Sequence, residues 1–253
     1  MPRSVAPDET APATESVLRK ARLILDAFDA RSPRLGLSEL TRRTGLAKTT
    51  VYRTASEMVA VGLLSRCGRQ YELAPLLFGF GQRVPRTRAL RLAAGPFMED
   101  LAISTRETVV LGLPGEHEVL FAEKYFGQRG GGQTVTRVEG RVPFHCGASG
   151  KVLLAFGDPT ELEYITSQPL RRRTPWTITT AQRLHAEIAS VRENGYAVER
   201  QEVVVGYGAV AAPVLAGDRA LATLTIVTPI GRLDVRRLAP AVCTAARGLS
   251  RAI

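Results

Sequence analysis

Residues 41–73 read TRRTGLAKTTVYRTASEMVAVGLLSRCGRQYEL, and this stretch decides the fold of the N-terminal part of the chain. It predicts a short helix that ends at Gly45, because glycine suits the left-handed turn that leaves a helix. A second helix is predicted over residues 48–61. Its apolar face consists of Val51, Ala55, Met58 and Val59. Two helices joined by a tight turn form a helix-turn-helix, whose second helix reads the major groove of DNA.

A basic hairpin is predicted directly after the second helix. Residues 63–66 and 70–73 have the composition of short strands, and Cys67-Gly68-Arg69 is the turn between them. Arg66 and Arg69 lie at the tip of the hairpin, where DNA phosphates or the minor groove would lie. The hairpin is therefore interpreted as the wing of a winged helix-turn-helix.

Positive charge is concentrated in the same region. The 253 residues contain 34 Lys and Arg against 24 Asp and Glu, which gives a net charge of +10. Residues 42–70 alone carry six basic side chains and a single acidic one, Glu57. A cationic helix-turn-helix fits a polyanionic partner, and double-stranded DNA is the expected one.

Eight residues are the predicted DNA contacts. Four lie near the start of the second helix and are expected in the major groove: Thr49, Thr50, Tyr52 and Arg53. Lys48, Arg66 and Arg69 are expected on phosphates. Ser38, which is expected to cap the first helix, completes the set.

Composition argues against several other classes of protein. The chain is 45% hydrophobic and 23% charged, as is typical of globular proteins and not of disordered ones. No apolar run approaches the length of a membrane span, and residues 1–15, an expected disordered arm, lack the apolar core of a signal peptide. We expect a cytoplasmic protein without a membrane partner. The three Cys and three His are too scattered to indicate disulfides or a metal site, and no cofactor is expected.

The remaining chain predicts a second domain. A winged helix-turn-helix over residues 16–74 is followed by a linker helix over 75–85 and an effector-binding domain over 86–253. Within 86–253 the predicted helices cover 86–105, 149–156, 160–167, 181–193 and 235–253. The predicted strands cover 108–113, 119–122, 134–136, 197–201, 210–215 and 220–227. Irregular alternation with hairpin-like strand pairs indicates an α+β domain around an antiparallel sheet.

The segment from Gly147 to Lys151, GASGK, has several possible interpretations. It is not a phosphate-binding P-loop, because His145 replaces the first glycine and Val152 replaces the final Ser or Thr. It is not a nucleophile elbow, because Lys151 replaces the second glycine. As the entry to a helix it would offer backbone N–H groups to an anion, and a simple turn and helix cap is the alternative.

Several motifs in this order resemble the IclR family of bacterial transcriptional regulators. In the N-terminal part they are LSEL at 37–40 and TGLAKTTVYR at 44–53. In the C-terminal part they are FHCGASGKVLLA at 144–155, RTPWTIT at 173–179, VRENGYA at 191–197 and VAAPV at 210–214. The resemblance extends from about residue 16 to the C-terminus.

The resemblance implies a winged helix-turn-helix followed by a GAF-like α/β effector-binding domain. It also implies a homodimer, or a dimer of dimers, on partly palindromic operator DNA. The effectors of such regulators are small organic acids or aromatic compounds.

The resemblance also implies an effector site. The backbone at Ala148 and Ser149 matches the loop that holds a ligand carboxylate. Relatives that bind small keto acids have an Asp, a Cys and two Ser where this chain has Glu199, Ala209, Thr225 and Val227. Two hydroxyl or thiol groups are thus absent, which favours a larger or less polar ligand.

The function expected from these observations is a ligand-responsive DNA-binding transcriptional regulator, with repression as the expected direction. A small-molecule-binding module without specific DNA binding is one alternative, and an enzyme acting on small acids is another. No paired carboxylates, metal cluster or nucleophile–base arrangement supports the enzyme. No catalytic residue is therefore predicted.

Overall fold

The computed structural model describes residues 16–29, 32–129 and 140–253. The chain divides after Arg83 into two compact units. The arm predicted at residues 1–15 and the strand predicted at 134–136 lie outside the described residues. Among the described helices, none is both long enough and apolar enough to cross a bilayer. The same residues contain no cluster of three or more His, Cys, Asp or Glu side chains placed to hold a metal ion.

The N-terminal unit is built on three helices. They are α1 (Val17–Asp26), α2 (Leu37–Thr44) and α3 (Lys48–Ala60). Ile24, Leu40 and Val51, one from each helix, are completely buried and form the centre of the core. Gly45 has a φ of +69° and donates its N–H to Thr41, so α2 ends in the predicted left-handed turn.

A three-stranded antiparallel sheet completes the winged helix-turn-helix. Its strands are β1 (Arg34–Gly36), β2 (Leu64–Cys67) and β3 (Gln70–Leu73), in the order β1-β3-β2. β2 and β3 are the predicted wing. β1 was not predicted, because three residues are too few to show a strand period.

The expected cap of α2 was wrong. Gly36, in extended conformation, is the N-cap residue, and the helix begins at Leu37. Ser38 therefore lies inside the first turn, and its side chain makes no capping hydrogen bond. It is exposed to solvent.

The predicted linker helix is shorter than expected. It forms α4 (Pro75–Gln82), because Pro85 starts the next helix, α5 (Pro85–Thr105). Each helix begins with proline, whose missing N–H would have no partner in the first turn anyway. α5 continues through Pro96. Proline has no N–H to donate to the carbonyl of Leu92, four residues earlier, but Leu92 lies on the solvent side of the helix.

A six-stranded antiparallel sheet forms the centre of the C-terminal unit. Its strands are β4 (Thr108–Pro114), β5 (Glu118–Tyr125), β6 (Arg141–Pro143), β7 (Ala197–Arg200), β8 (Tyr207–Ala216) and β9 (Arg219–Pro229). Their order is β6-β5-β4-β9-β8-β7. β6, again three residues long, was not predicted.

Helices cover both faces of this sheet. The remaining ones are α6 (Ala148–Phe156), α7 (Pro159–Ser167), α8 (Ala181–Asn194), a 3-10 turn (Ile230–Arg232) and α9 (Val235–Ala252). α5 and α9 pack on one face and α6 on the other, with α7 and α8 against α6. The α+β fold class, with a winged helix-turn-helix followed by an α/β domain, is confirmed.

Candidate functional site

α3 presents its N-terminal residues to solvent. Its inner face is formed by Val51, Thr54, Ala55 and Met58, all buried. Lys48, Thr49 and Arg53 are exposed, Tyr52 is 50% exposed, and Thr50 is half-buried. No acidic residue lies in the first turn of the helix. The outer face of α3 is thus polar and cationic, as a recognition helix requires.

Two of the six cations in residues 42–70 form ion pairs within the fold. Arg43 donates hydrogen bonds to Asp29 at 2.7 Å, to Glu39 at 2.8 Å and to the carbonyl of Ala27 at 2.8 Å. Arg42 forms an ion pair with Glu39 as well. The contacts of Arg43 with Ala27 and Asp29 fasten α2 to the end of α1. By contrast, no hydrogen bond or ion pair joins Lys48, Arg53 or Arg69 to any residue that the structure describes.

The wing places two arginines at an exposed tip. Gly68 turns the chain with a φ of +60°, and Arg66 and Arg69 on either side of it are exposed. Arg66 donates to the carbonyl of Gly68 at 3.3 Å, and its guanidinium lies 5.9 Å from the ring centre of Tyr71. Tyr71 is buried in the core, so Arg66 is partly held in place.

A second candidate site lies between α6 and the sheet of the C-terminal unit. Strand pairing aligns residues that are far apart in sequence. Glu199 of β7 pairs with Ala209 of β8, which pairs with Val227 of β9. Thr225 of β9 pairs with Val110 of β4. Because side chains alternate along a strand, this set faces α6, away from the core under α5 and α9.

The N-terminus of α6 closes the site from the other side. Gly147 is the N-cap residue, and the first helical N–H to bond within the helix is that of Lys151. The N–H groups of residues 148–150 have no acceptor in the described chain, as expected for a first turn. Gly150 is required here because a Cβ would lie 2.3 Å from the carbonyl oxygen of Phe144. Such a helix start is suited to an anion.

One cavity joins all six predicted effector residues. They are Ala148, Ser149, Glu199, Ala209, Thr225 and Val227. The cavity and its open mouth together hold about 560 Å³ of space not filled by atoms. Seven further residues line it: Val110, Phe121, Val142, Gly147, Val203, Val204 and Tyr207. Most of the lining is apolar.

The polar groups of the cavity are few and buried. The hydroxyls of Ser149 and Thr225 are 2.7 Å apart. Glu199 accepts a hydrogen bond from the N–H of Glu202 at 2.9 Å. The net effect of its surroundings raises the pKa of Glu199 to about 8. Burial is the main cause and the Glu202 carboxylate adds to it, whereas the hydrogen bond from the Glu202 N–H and the ammonium of Lys151 oppose the rise. At neutral pH the Glu199 carboxyl is therefore largely protonated and able to donate a hydrogen bond.

Two models of known protein families match the chain. Residues 82–253 match the family model described as bacterial transcriptional regulator IclR C-terminal, and residues 17–67 match the IclR helix-turn-helix domain. The first match alone covers more than half of the chain. The chain belongs to the IclR family. It is thus a bacterial transcriptional regulator with a helix-turn-helix DNA-binding domain.

Individual IclR-family proteins are similar over most of their length. The transcriptional regulator KipR of Bacillus subtilis (strain 168) is 34% identical over 208 residues, 80% of this chain and 81% of KipR. KdgR of Escherichia coli (strain K12) is 31% identical over 252 residues, 96% of this chain and 94% of KdgR. A crystal structure of an IclR homolog from Microbacterium hydrocarbonoxydans, complexed with 4-hydroxybenzoate, superposes with a TM-score of 0.80. It is 28% identical and covers 94% of this chain and 98% of that one.

Sequence reasoning missed part of the cavity in this IclR-family chain. Val110 lies in a strand buried on both faces, so no polar alternation marks which residues face the cavity. Val203 and Val204 lie in the turn between β7 and β8, where no periodicity applies. These residues come together only when the strands pair in the folded sheet. That pairing cannot be inferred from a single sequence.

Proposed function

We propose that this regulator acts in the cytoplasm, where it binds a partly palindromic operator as a homodimer. A small apolar or aromatic carboxylic acid, bound between α6 and the sheet, changes its affinity for that operator. One observation carries the ligand half of this proposal. The six predicted effector residues come from separate segments of the sequence, and they line one cavity together with the open N-terminus of α6.

The chemistry of the cavity favours an acid with an apolar body. The carboxylate would accept from the N–H groups at the start of α6, the expected place for an anion. An aromatic ring would pack against Val110, Phe121 and Val227. The protonated Glu199 would donate to a second oxygen on the ligand, such as a phenol. 4-Hydroxybenzoate, present in the similar structure, carries both polar ends.

The DNA half rests on the outer face of α3 and the tip of the wing. We assign Thr49, Thr50, Tyr52 and Arg53 to base edges in the major groove. Lys48, Arg66 and Arg69 are assigned to phosphates, and the exposed Ser38 at the start of α2 remains a predicted contact. Bound effector would alter operator affinity by a coupling of about 1–3 kcal/mol, or roughly 5–150-fold.

The homodimer is supported by apolar surface in the N-terminal unit. α4 has no buried residue, and Phe78 is 72% exposed. In α1, Leu18 is 81% exposed. Large apolar side chains left open on two helices of a small unit are typical of a protein–protein contact. A two-fold dimer would bury each of them against its counterpart and present two copies of α3 to a palindrome.

Truncation of Phe78 tests the dimer contact. Phe78→Ala is expected to raise the dimer dissociation constant about ten-fold, because one exposed ring per protomer loses its burial. Analytical ultracentrifugation over a concentration series measures this constant. Leu92→Ala, which truncates an equally exposed apolar residue of the other unit, is the control. A dimer that weakens with Leu92→Ala and not with Phe78→Ala would place the contact elsewhere.

The regulatory function itself is tested in two steps. Selection from random DNA should enrich a partly palindromic site, and the absence of any enriched motif would contradict operator binding. Binding to that site is then titrated with 4-hydroxybenzoate, 4-hydroxybenzamide and pyruvate. We expect 4-hydroxybenzoate to shift operator affinity most, since the amide lacks the anion and pyruvate lacks the apolar body. Equal or absent effects of all three would contradict the proposed ligand class.

A further inference from the structure

Lys151 is a buried cation that the proposed function leaves without a role. It lies in α6, and only 1% of it is exposed. Its ammonium donates to Glu202 at 2.7 Å, to Glu187 at 3.0 Å and to the carbonyl of Val198 at 3.2 Å. These acceptors use all three donors of the ammonium. A buried charge with such partners costs desolvation free energy and is weak evidence for stability by itself.

Two of the three acceptors, Glu202 and the carbonyl of Val198, connect α6 to the opposite wall of the cavity. Val198 belongs to β7, the edge strand of the sheet, and Glu187 belongs to α8. Glu202 lies in the turn between β7 and β8. Glu199 and Val203, close to Glu202 on either side, both line the cavity. The ammonium therefore ties the helix that offers its N–H groups to the segment that carries the Glu199 carboxyl.

The turn at residues 201–206 is held largely by polar contacts. Its backbone carries positive φ values at Gln201 (+62°) and Gly206 (+84°), and Val205 is 56% exposed. The hydroxyl of Thr174 donates to the carbonyl of Gln201 at 2.7 Å, and that of Thr177 to the carbonyl of Glu202 at 2.8 Å. The N–H of Ile230 also donates to the carbonyl of Gly206 at 2.8 Å. The Lys151–Glu202 ion pair adds to these contacts a direct link from α6 to the turn.

We propose that Lys151 is a positioning residue of the effector site. Through Glu202 it holds the 201–206 turn, and with it Glu199 and Val203, at a fixed separation from the N-terminus of α6. Lys151 itself does not touch the ligand. The inference deepens the proposed function, on which it rests for the use of the cavity, and it assigns ligand affinity to a residue outside the cavity lining.

Lys151→Met, which keeps the length of the side chain and removes its charge, is the principal test. We expect backbone amide exchange in residues 199–206 to become about ten-fold faster, with β4 and β9 unchanged. Affinity for 4-hydroxybenzoate should fall about ten-fold or more, because the loosened wall must be ordered on binding. Lys151→Arg, which retains the charge, should recover part of both properties.

Glu187→Gln is the matched control, since Glu187 contacts the same ammonium from outside the cavity. In this variant, amide exchange in residues 199–206 and affinity for 4-hydroxybenzoate should both equal those of the wild type. The proposal is overturned if Lys151→Met leaves exchange in 199–206 unchanged, accelerates exchange uniformly through the C-terminal unit, or is matched by Glu187→Gln.

A substitute variant and a second readout cover the cases in which Lys151→Met does not fold or the ligand does not bind. Glu202→Gln leaves Lys151 in contact with Glu187 and Val198, and it replaces Lys151→Met in the comparison if that variant does not fold. If the wild type binds no 4-hydroxybenzoate, the proposed ligand class fails. The exchange of residues 199–206 in the same variants then still decides whether Lys151 positions the cavity wall.

Discussion

Arg53→Ala is expected to abolish the preference of the protein for its operator. Arg53 lies in the second turn of α3, exposed and with no hydrogen bond or ion pair to any described residue, so its removal should not disturb the fold. Loss of an arginine that contacts a base costs about 1–3 kcal/mol. The proposed homodimer would lose this contact in both half-sites, or roughly 2–6 kcal/mol in total. Fluorescence anisotropy on the selected operator and on a scrambled duplex measures the preference.

Two matched variants separate base reading from charge. Arg247→Ala removes the same charge from α9 of the other unit, where Arg247 donates to the carbonyl of Cys243, and should leave the preference intact. Arg69→Ala should weaken binding to operator and scrambled DNA alike, as expected for a phosphate contact. An Arg53→Ala protein with the wild-type preference would show that Arg53 does not read bases.

Glu199→Gln is expected to change how stability depends on pH. The pKa of Glu199 is about 8 in the folded protein, whereas the ordinary value for glutamate is 4.5. Between these pH values the folded state holds a proton that the unfolded state has released, so the free energy of unfolding falls as pH rises. The contribution of Glu199 is fully present below about pH 4.5 and is lost by about pH 8, a change of roughly 5 kcal/mol. Urea unfolding from pH 5 to 8.5 measures the slope.

Glutamine has no proton to lose, so Glu199→Gln should flatten the dependence of the free energy of unfolding on pH. At pH 8 the variant should be more stable than the wild type. Glu163→Gln, an exposed position on α7, should keep the wild-type slope. Operator affinity without effector should be unchanged in both variants, because neither residue belongs to the DNA-binding unit. If Glu199→Gln retains the wild-type slope, the native carboxyl is already ionised at neutral pH.

The sequence predicted the helix-turn-helix well because its signals are local. Gly45 marks the turn, and the apolar period of α3 identifies the buried face within one helix. β1 was missed since it exists only through pairing, with Arg34 opposite Glu72 thirty-eight residues later. The cap at Ser38 was wrong because Gly36 already supplies an extended N-cap, which the preference for serine did not anticipate.

The lining of the proposed effector cavity could be predicted only in part. Ala148, Ser149, Glu199 and Thr225 came from resemblance to a family, and no period or spacing in the chain relates them. Their proximity depends on the strand order β4-β9-β8-β7, which is a property of the folded sheet. Lys151 was visible in the sequence as part of GASGK, yet its partners Glu187 and Glu202 lie 36 and 51 residues away.

The ion pairs of Arg42 and Arg43 bear on how strongly DNA binding should respond to ionic strength. A cation that already neutralises a carboxylate displaces no condensed counterion when the protein meets a phosphate. The +5 excess of residues 42–70 therefore overstates the number of counterions released, since Glu39 and Asp29 hold two of the arginines. Operator binding by this protein should resist added salt better than its formal charge suggests. Its selectivity would then rest more on base edges than on the backbone of the duplex.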